Sequence, residues 1–326
     1  MKCTNNFTGK KKQLLCTICM AAVFMAGCGK AEVINNAYDI TDNVYNEKEV
    51  TTNFFSKDLC VIDNENIGVS DVSSSYAEGA GVFNVDQCQV KYAQNLYEKL
   101  YPASTTKVLT AYIILSENDL NDMVTISEDA ANPGVGSSVC GLKAGDTISV
   151  KDLLYGLLIV SGNDAAIALA EYNAGDVNTF ANKMNKVAQS LGATNSHFVN
   201  PSGYPDENHY TTIYDMYLIF SKAISNDTFV NILNTKTYDA SYKSADGTVA
   251  SQVWTNTCLY FTGEAEVPEG YSIVGGKTGT TSSAGYCLVL LSTNKNNEKV
   301  ISIVYKATDR TGLYKYMNEI LTYSSK

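Results

Sequence analysis

The sequence predicts an α/β (α+β) fold in which one antiparallel sheet, built from both chain ends, carries an inserted all-helical lobe. Three observations predict it. Short strand-like runs stand before residue 95, and others return after residue 273. Between residues 105 and 191 the apolar positions cluster or recur with helical spacing. Strands at both ends with helices between make one sheet with an insertion, and a cleft between two lobes is a usual place for a site.

The elements follow in order. Gly81-Val82-Phe83-Asn84-Val85 and Gln89-Val90-Lys91-Tyr92-Ala93 read as two short strands. Pro102 precedes a helix over residues 105 to 116, whose Ala, Leu, Ile and Val cluster for burial. Residues 151 to 160 and 164 to 172 read as helices flanking a polar Ser-Gly-Asn break. Residues 177 to 191 form another, with apolar spacing at Phe180, Met184 and Val187. Residues 273 to 278, 286 to 292 and 300 to 305 alternate or run apolar as late strands, and a helix over 313 to 323 follows.

Composition bounds the function. The chain has 326 residues, 45% hydrophobic and 18% charged, with five prolines, which suits a packed core rather than a disordered or fibrous chain. Its formal charge is −10. A nucleic-acid binder needs a basic stripe to displace counterions, and there is none, so no nucleic-acid partner is expected.

At the N-terminus Lys2 and Lys10 to Lys12 form a positive patch ahead of an apolar run over residues 14 to 26. That run is too short to span a bilayer as a helix but suits the core of a secretory signal. It ends in Met25-Ala26-Gly27-Cys28, which resembles the bacterial lipoprotein signal, whose cysteine is lipidated and becomes the mature N-terminus. An ordinary signal with a chance cysteine is the alternative. Residues 1–27 are thus expected to be a signal peptide, and residues 28–75 a membrane-proximal spacer, plainest from 29 to about 57. A catalytic domain is expected over residues 76–326. Lipid on Cys28 would hold the chain on the outer face of the cytoplasmic membrane.

Four cysteines belong to the signal, leaving Cys60, Cys88, Cys140, Cys258 and Cys287. The count is odd, and no pair has the gap of a zinc knuckle. With His197 and His209 the only histidines, neither a metal nor another cofactor is expected. Most of these cysteines read as small buried hydrophobes.

Three short motifs occur in order: Ser104-Thr105-Thr106-Lys107 opens the first long helix, Ser161-Gly162-Asn163 sits in the helix break, and Lys277-Thr278-Gly279 ends a strand. Each is weak alone. Ser292-Thr293-Asn294-Lys295 repeats the first spacing, and Ser116-Glu117-Asn118 mimics the second. A helix cap, a loop and a turn would explain them singly. Order and context together are more specific, and the trio is that of penicillin-binding proteins and class A β-lactamases.

The flanks narrow the match. Pro102-Ala103-Ser104-Thr105-Thr106-Lys107, Ser161-Gly162-Asn163-Asp164-Ala165-Ala166 and Gly275-Gly276-Lys277-Thr278-Gly279-Thr280-Thr281 resemble the low-molecular-mass D-alanyl-D-alanine carboxypeptidases, serine peptidase family S11. So do His197-Phe198-Val199-Asn200-Pro201-Ser202-Gly203-Tyr204 and Tyr214-Asp215-Met216. The resemblance covers residues 76 to 325 and implies a β-lactamase/transpeptidase-like fold. It implies removal of the terminal D-alanine from peptidoglycan stem pentapeptides through an acyl-enzyme, with β-lactam antibiotics as inhibitors.

It also implies roles. Ser104 is the nucleophile and Lys107, three residues on and sharing its face, the base. A lysine can take a proton only when neutral, so burial and the charge of Lys277 must push its pKa down. Ser161 relays a proton to the leaving amine, with Lys277 holding that relay, and Asn163 anchors the Lys107 amine. The Lys277-Thr278-Gly279 strand should be an edge on which the substrate adds as a further strand, Gly279 keeping the approach clear. By analogy the N–H groups of Ser104 and Thr280 form the oxyanion hole.

One further observation is independent of the family. Of 24 basic residues, Arg310 is the only arginine. A chain that uses lysine elsewhere can keep arginine for bidentate recognition, so Arg310 with Thr278 is expected to bind the substrate carboxylate. A surface ion pair with Asp309 is the alternative, and Gly312 stands where the family sometimes has a second base. His209 is read as structural.

Two rival functions remain. A class A-like β-lactamase needs a glutamate about 36 residues after the middle motif, but His197 stands there. A non-catalytic sensor of β-lactam or peptidoglycan would keep these residues without turnover. Residues 280 to 326 suffice for two strands and a helix, so the second domain and C-terminal anchor common in the family are expected to be absent, with lipid on Cys28 in the anchor's place.

Overall fold

Both ends of the chain contribute to one sheet. The computed structural model describes residues 58–72 and 76–326; the signal, Cys28 and most of the spacer lie outside the described residues. Strands β1 (Gly79–Asn84) and β2 (Gln89–Gln94) pair with three from the other end, β7 (Tyr271–Thr281), β8 (Gly285–Asn294) and β9 (Lys299–Ala307). The order is β2-β1-β9-β8-β7, every pair antiparallel.

The late strands read as unbroken apolar runs because helices cover the sheet on both faces. In β8 and β9, Val289, Leu291, Ile301, Ile303 and Tyr305 enter the core shared with the inserted lobe. Their neighbours Leu288, Leu290, Val300 and Val304 face the other way, onto Leu313, Met317, Ile320 and Leu321 of the C-terminal helix, Arg310–Ser324. The period of two sorts one apolar run into two cores.

Between the two halves of the sheet the chain forms helices α1 (Lys107–Glu117), α2 (Glu128–Ala131), α3 (Val150–Tyr155), α4 (Asn163–Ala174), α5 (Val177–Ser190), α6 (Ile213–Ala223), α7 (Asp227–Leu233) and α8 (Leu259–Thr262), the last packed on the C-terminal helix rather than in the inserted lobe. The expectation of an all-helical lobe needs correction. Strands β3 (Met123–Thr125), β4 (Thr147–Ser149), β5 (Thr237–Lys243) and β6 (Val249–Thr255) form a second sheet, in the order β3-β4-β5-β6. The first two are only three residues long, too short for a period to register in the sequence. The β5–β6 hairpin did carry a signal: Tyr238, Ala240 and Tyr242 alternate with polar residues, and Asp246-Gly247 turns the chain.

The packed unit also reaches further toward the N-terminus than residue 76. Cys60 is fully buried, its N–H donating to Tyr217 Oη at 2.9 Å and its carbonyl accepting from Tyr214 Oη at 2.9 Å. Ile67 bridges Ala93 beside β2. Its apolar residues, Leu59, Cys60, Val61, Ile62, Ile67, Val69 and Val72, follow no regular period, so the segment reads as spacer although it is tied to the domain. Cys140, Cys258 and Cys287 are buried as well, as their small apolar character suggests. Among the described residues no helix is long and apolar enough to cross a membrane.

Candidate active site

Ser104 does not lie on the α-helix itself. Ala103–Thr106 form a 3₁₀ turn that runs into α1 at Lys107. In a 3₁₀ turn residues three apart eclipse, which sets Lys107 directly behind Ser104. Ala103, just before the nucleophile, has φ +47°, a left-handed conformation that only surrounding contacts can enforce on alanine. Strand β7 supplies one such contact. A Cβ on Gly279 would stand 2.9 Å from both Pro102 O and Ser104 N. The expected role of Gly279 is therefore corrected: its missing side chain faces inward, letting the strand close on the backbone of the nucleophile, rather than outward to spare the substrate.

Lys107 is fully buried. Its Nζ lies 3.0 Å from Ser104 Oγ, 2.7 Å from Asn163 Oδ1 and 2.8 Å from the carbonyl oxygen of Ser202. Burial, and secondarily the charge of Lys277, lower its pKa well below the ordinary value. A neutral amine keeps two N–H bonds and one lone pair. The two acceptor-only partners, Asn163 Oδ1 and Ser202 O, take the N–H bonds, so the lone pair is left for the Ser104 hydroxyl. Only the Ser202 carbonyl was not foreseen. The Asn-Pro-Ser-Gly turn that presents it was visible, but which carbonyl points inward is a matter of tertiary structure.

The middle motif sits on an irregularity. The helix begun by α3 widens into a π-helical turn at Gly156–Val160 and ends on Ser161, itself left-handed at φ +69°. Such turns recur at functional sites because they re-aim the next residue. Ser161 Oγ thereby reaches Lys277 Nζ at 2.9 Å. Asn163 opens α4, with its N–H donating to Ser138 O at 2.8 Å and its Nδ2 to Ser137 Oγ at 2.9 Å. Ser137 and Ser138 lie in a loop whose sequence gave no warning of the role.

Lys277 is fully buried on β7, which is an edge strand as expected. Burial lowers its pKa to about 7. Its neighbour Thr278 points to the opposite side of the strand, with its hydroxyl 2.7 Å from that of Thr257.

Two cavities meet at Ser104. One, of about 140 Å³, is lined by Ser104, Ser161, Thr257, Thr278, Thr280 and Arg310 among others. The second, of about 200 Å³, runs between Val135, Tyr204 and Pro205 on one side and Thr280 to Ser282 on the other. Neither is lined by an aspartate or glutamate. Arg310 is exposed and forms no ion pair among the described residues. The expected rival partner, Asp309, instead accepts from Gly312 N at 2.8 Å and caps the last helix. Arg310 is the first residue of that helix, where a cation opposes the helix dipole, so helix stability does not explain it.

His209 is buried behind the site. Its Nδ1 accepts from Val199 N at 3.2 Å, which leaves the proton on Nε2 to donate to Thr106 Oγ1 at 2.8 Å. Burial lowers its pKa to about 4, so it stays neutral and props the nucleophile turn.

Comparison with known proteins agrees with this geometry. The sequence profile of Peptidase S11, described as D-alanyl-D-alanine carboxypeptidase, matches residues 67–309. The D-alanyl-D-alanine carboxypeptidase DacF of Bacillus subtilis is 35% identical over 238 residues, 71% of this chain and 58% of that protein. A D-alanyl-D-alanine carboxypeptidase of Streptomyces sp. K15 is 36% identical over 217 residues, 63% of this chain and 72% of that one. The crystal structure of the Streptomyces K15 DD-transpeptidase superposes with a TM-score of 0.72 at 31% identity, covering 78% of this chain and 98% of that chain. The chain spans a little over half the length of several curated relatives, 58%, 53% and 52% of three of them.

Proposed function

The chain belongs to the D-alanyl-D-alanine carboxypeptidase family Peptidase S11, and on that premise we propose that it removes the terminal D-alanine from peptidoglycan stem pentapeptides through an acyl-enzyme on Ser104. One observation carries this reading. The Lys107 amine is buried with its pKa pushed well down, and its two acceptor-only partners, Asn163 Oδ1 and Ser202 O, leave the lone pair of the neutral form for Ser104.

The steps follow from the distances. Lys107 Nζ takes the Ser104 proton as Oγ bonds to the carbonyl carbon of the last peptide bond. The oxyanion forms beside the N–H groups of Ser104 and Thr280, a donor being worth about 3 kcal/mol of barrier. The closeness of Gly279 to Ser104 N supports that pairing. The C–N bond then breaks, and the proton that Lys107 took passes through Ser161, whose hydroxyl Lys277 holds, to the leaving D-alanine nitrogen, so that Lys107 is neutral again. Water attacks the ester with Lys107 again as base, and the shortened peptide leaves with the Ser104 proton restored. Arg310 and Thr278 hold the carboxylate of the departing residue. A β-lactam ring opened by Ser104 leaves an ester with no carboxylate base beside it, so the adduct persists. That disfavours the class A-like β-lactamase reading.

The lipid anchor on Cys28, and with it a position on the outer face of the cytoplasmic membrane, belong to the same proposal. Cys28→Ala is expected to shift the protein from the membrane to the soluble fraction.

The deciding experiment measures D-alanine released from a stem-pentapeptide mimic by the wild type and by Ser104→Ala, with labelled penicillin located by peptide mass mapping. Release and a Ser104 adduct in the wild type only are expected. An adduct without release would favour a non-catalytic sensor, and an adduct elsewhere would overturn the assignment.

A further inference from the structure

Thr105 and Tyr305 line neither cavity at Ser104, yet their hydroxyls form a buried chain that ends on the nucleophile turn. Both side chains are fully buried, and Thr105 Oγ1 lies 2.8 Å from Pro102 O and 2.5 Å from Tyr305 Oη. A carbonyl can only accept, so Pro102 O takes the Thr105 proton and the Tyr305 hydroxyl donates to Thr105 Oγ1. Burial pushes the Tyr305 pKa well above its ordinary value, so the donor keeps its proton. Pro102 O accepts a second bond from Thr105 N at 3.2 Å.

That carbonyl belongs to the peptide plane in front of Ala103. The next plane carries the N–H of Ser104, and Ala103, at φ +47°, is the joint between the two. A strained joint persists only where its surroundings over-determine it. Two hydrogen bonds on the Pro102 carbonyl fix the plane on its upstream side.

The sheet delivers Tyr305 to this place. Ile301, Ile303 and Tyr305 form one inward row of β9, which a phenyl ring would complete as well. The hydroxyl brings a polar group into an apolar core, a cost that only its bond to Thr105 offsets. Tyr305 is also the last of its row. Leu288 pairs with Val304 and Tyr286 with Ala307, so β9 carries one extra residue there, and Lys306 takes φ +57°. Such a bulge beside an active site ends regular pairing and sets where a side chain is aimed.

We propose that Tyr305 is a positioning residue for acyl transfer: through Thr105 and the Pro102 carbonyl it keeps the Ser104 N–H aimed at the developing oxyanion. This rests on the carboxypeptidase reading, in which that N–H is an oxyanion donor. It adds a residue that touches neither the substrate nor the nucleophile.

The test uses the whole protein and two acyl donors, an ester ending in D-alanyl-D-lactate and its thionoester, with sulfur in place of the carbonyl oxygen. D-lactate release gives kcat/KM for each, and their ratio cancels any loss of folded protein. Donors set for an oxygen anion serve a sulfur anion poorly, so the wild type should favour the ester by about a hundredfold. In Tyr305→Phe the ester should slow by about tenfold and the thionoester little, which narrows the ratio to about tenfold. Thr105→Val should narrow it at least as far, and Thr105→Ser, which keeps the hydroxyl, should restore most of it. Adding Tyr305→Phe to Thr105→Val should change nothing further, because the tyrosine then has no hydroxyl to act through. An unchanged ratio in Tyr305→Phe, or additive losses in the double variant, overturns the proposal. A wild type that favours neither donor removes the oxyanion role of Ser104 N–H and this inference with it. If neither donor releases D-lactate, the carboxypeptidase reading itself falls and the inference falls too.

Discussion

Gly203 touches Ala103 through backbone alone: a Cβ on Gly203 would stand 1.8 Å from the Ala103 carbonyl oxygen. With Gly279 on the other side, the strained residue before the nucleophile is gripped between two glycines from opposite sides of the cleft. Gly203 also has φ +79°. Gly203→Ala is therefore expected to cost at least about 3 kcal/mol of stability and to abolish acylation. Gly136 has the same φ with nothing within 4 Å of its absent Cβ, so Gly136→Ala should cost only about 1 kcal/mol. Urea unfolding of the two variants checks the contrast.

Lys277 should oppose stability while serving catalysis. A buried lysine whose pKa falls from 10.5 to about 7 binds fewer protons folded than unfolded between those values. Stability then rises with pH across that window, and the penalty is greatest below pH 7, at up to about 5 kcal/mol before its hydrogen bonds are counted. Lys277→Met is expected to lower acylation by penicillin by about a hundredfold or more. Its stability relative to the wild type should be highest at pH 6 and decline toward pH 10, as read by denaturant unfolding at each pH.

His209 gives a separate acid transition. Folded, it titrates at about 4 against an ordinary 6.5, so as pH falls through that interval the unfolded chain binds the proton first. The wild type should lose on the order of 3 kcal/mol there. His209→Gln should lack that part of the acid destabilisation. Thermal melts between pH 7 and 4 would show whether the two curves converge.

Arg310 separates substrate binding from stability in the opposite sense to an ordinary structural residue. Arg310→Gln removes a cation from a helix N-terminus, which should leave stability unchanged or raise it by about 0.5 kcal/mol. For peptides ending in a free carboxylate, kcat/KM should fall by about tenfold or more, while for the C-terminal amides it should change little. Equal losses for both would dismiss the carboxylate role.

What was legible in the sequence depended on range. The helix that follows Ser104, the helices on either side of Ser161 and Gly162, and the strands about Lys277 declared themselves because their apolar spacing is local. Helices α6 and α7 and the second sheet did not. Tyr217 and Ile219 are buried on all sides, so no clean stripe marks α6, and three-residue strands have no period to read. Residues 58–72 read as spacer because their apolar residues show no period, and part of their tie to the domain runs through backbone groups at Cys60 and Ile67, which any sequence possesses.

The sequence alone determined the chemical parts, because a nucleophile, a base three residues away and a strand lysine are identities and spacings. It also identified Arg310 as the one arginine available for a planar grip. Tertiary structure decided how those parts face one another: the Ser202 carbonyl on Lys107, the inward turn of Gly279 and the two unlike cavities at Ser104. The physical reason is that hydrogen bonds and close approaches between residues as distant in sequence as Lys107 and Ser202, or Ser104 and Gly279, depend on the direction of a carbonyl or a missing Cβ. Residue type along a chain does not encode that direction; only the packed fold does.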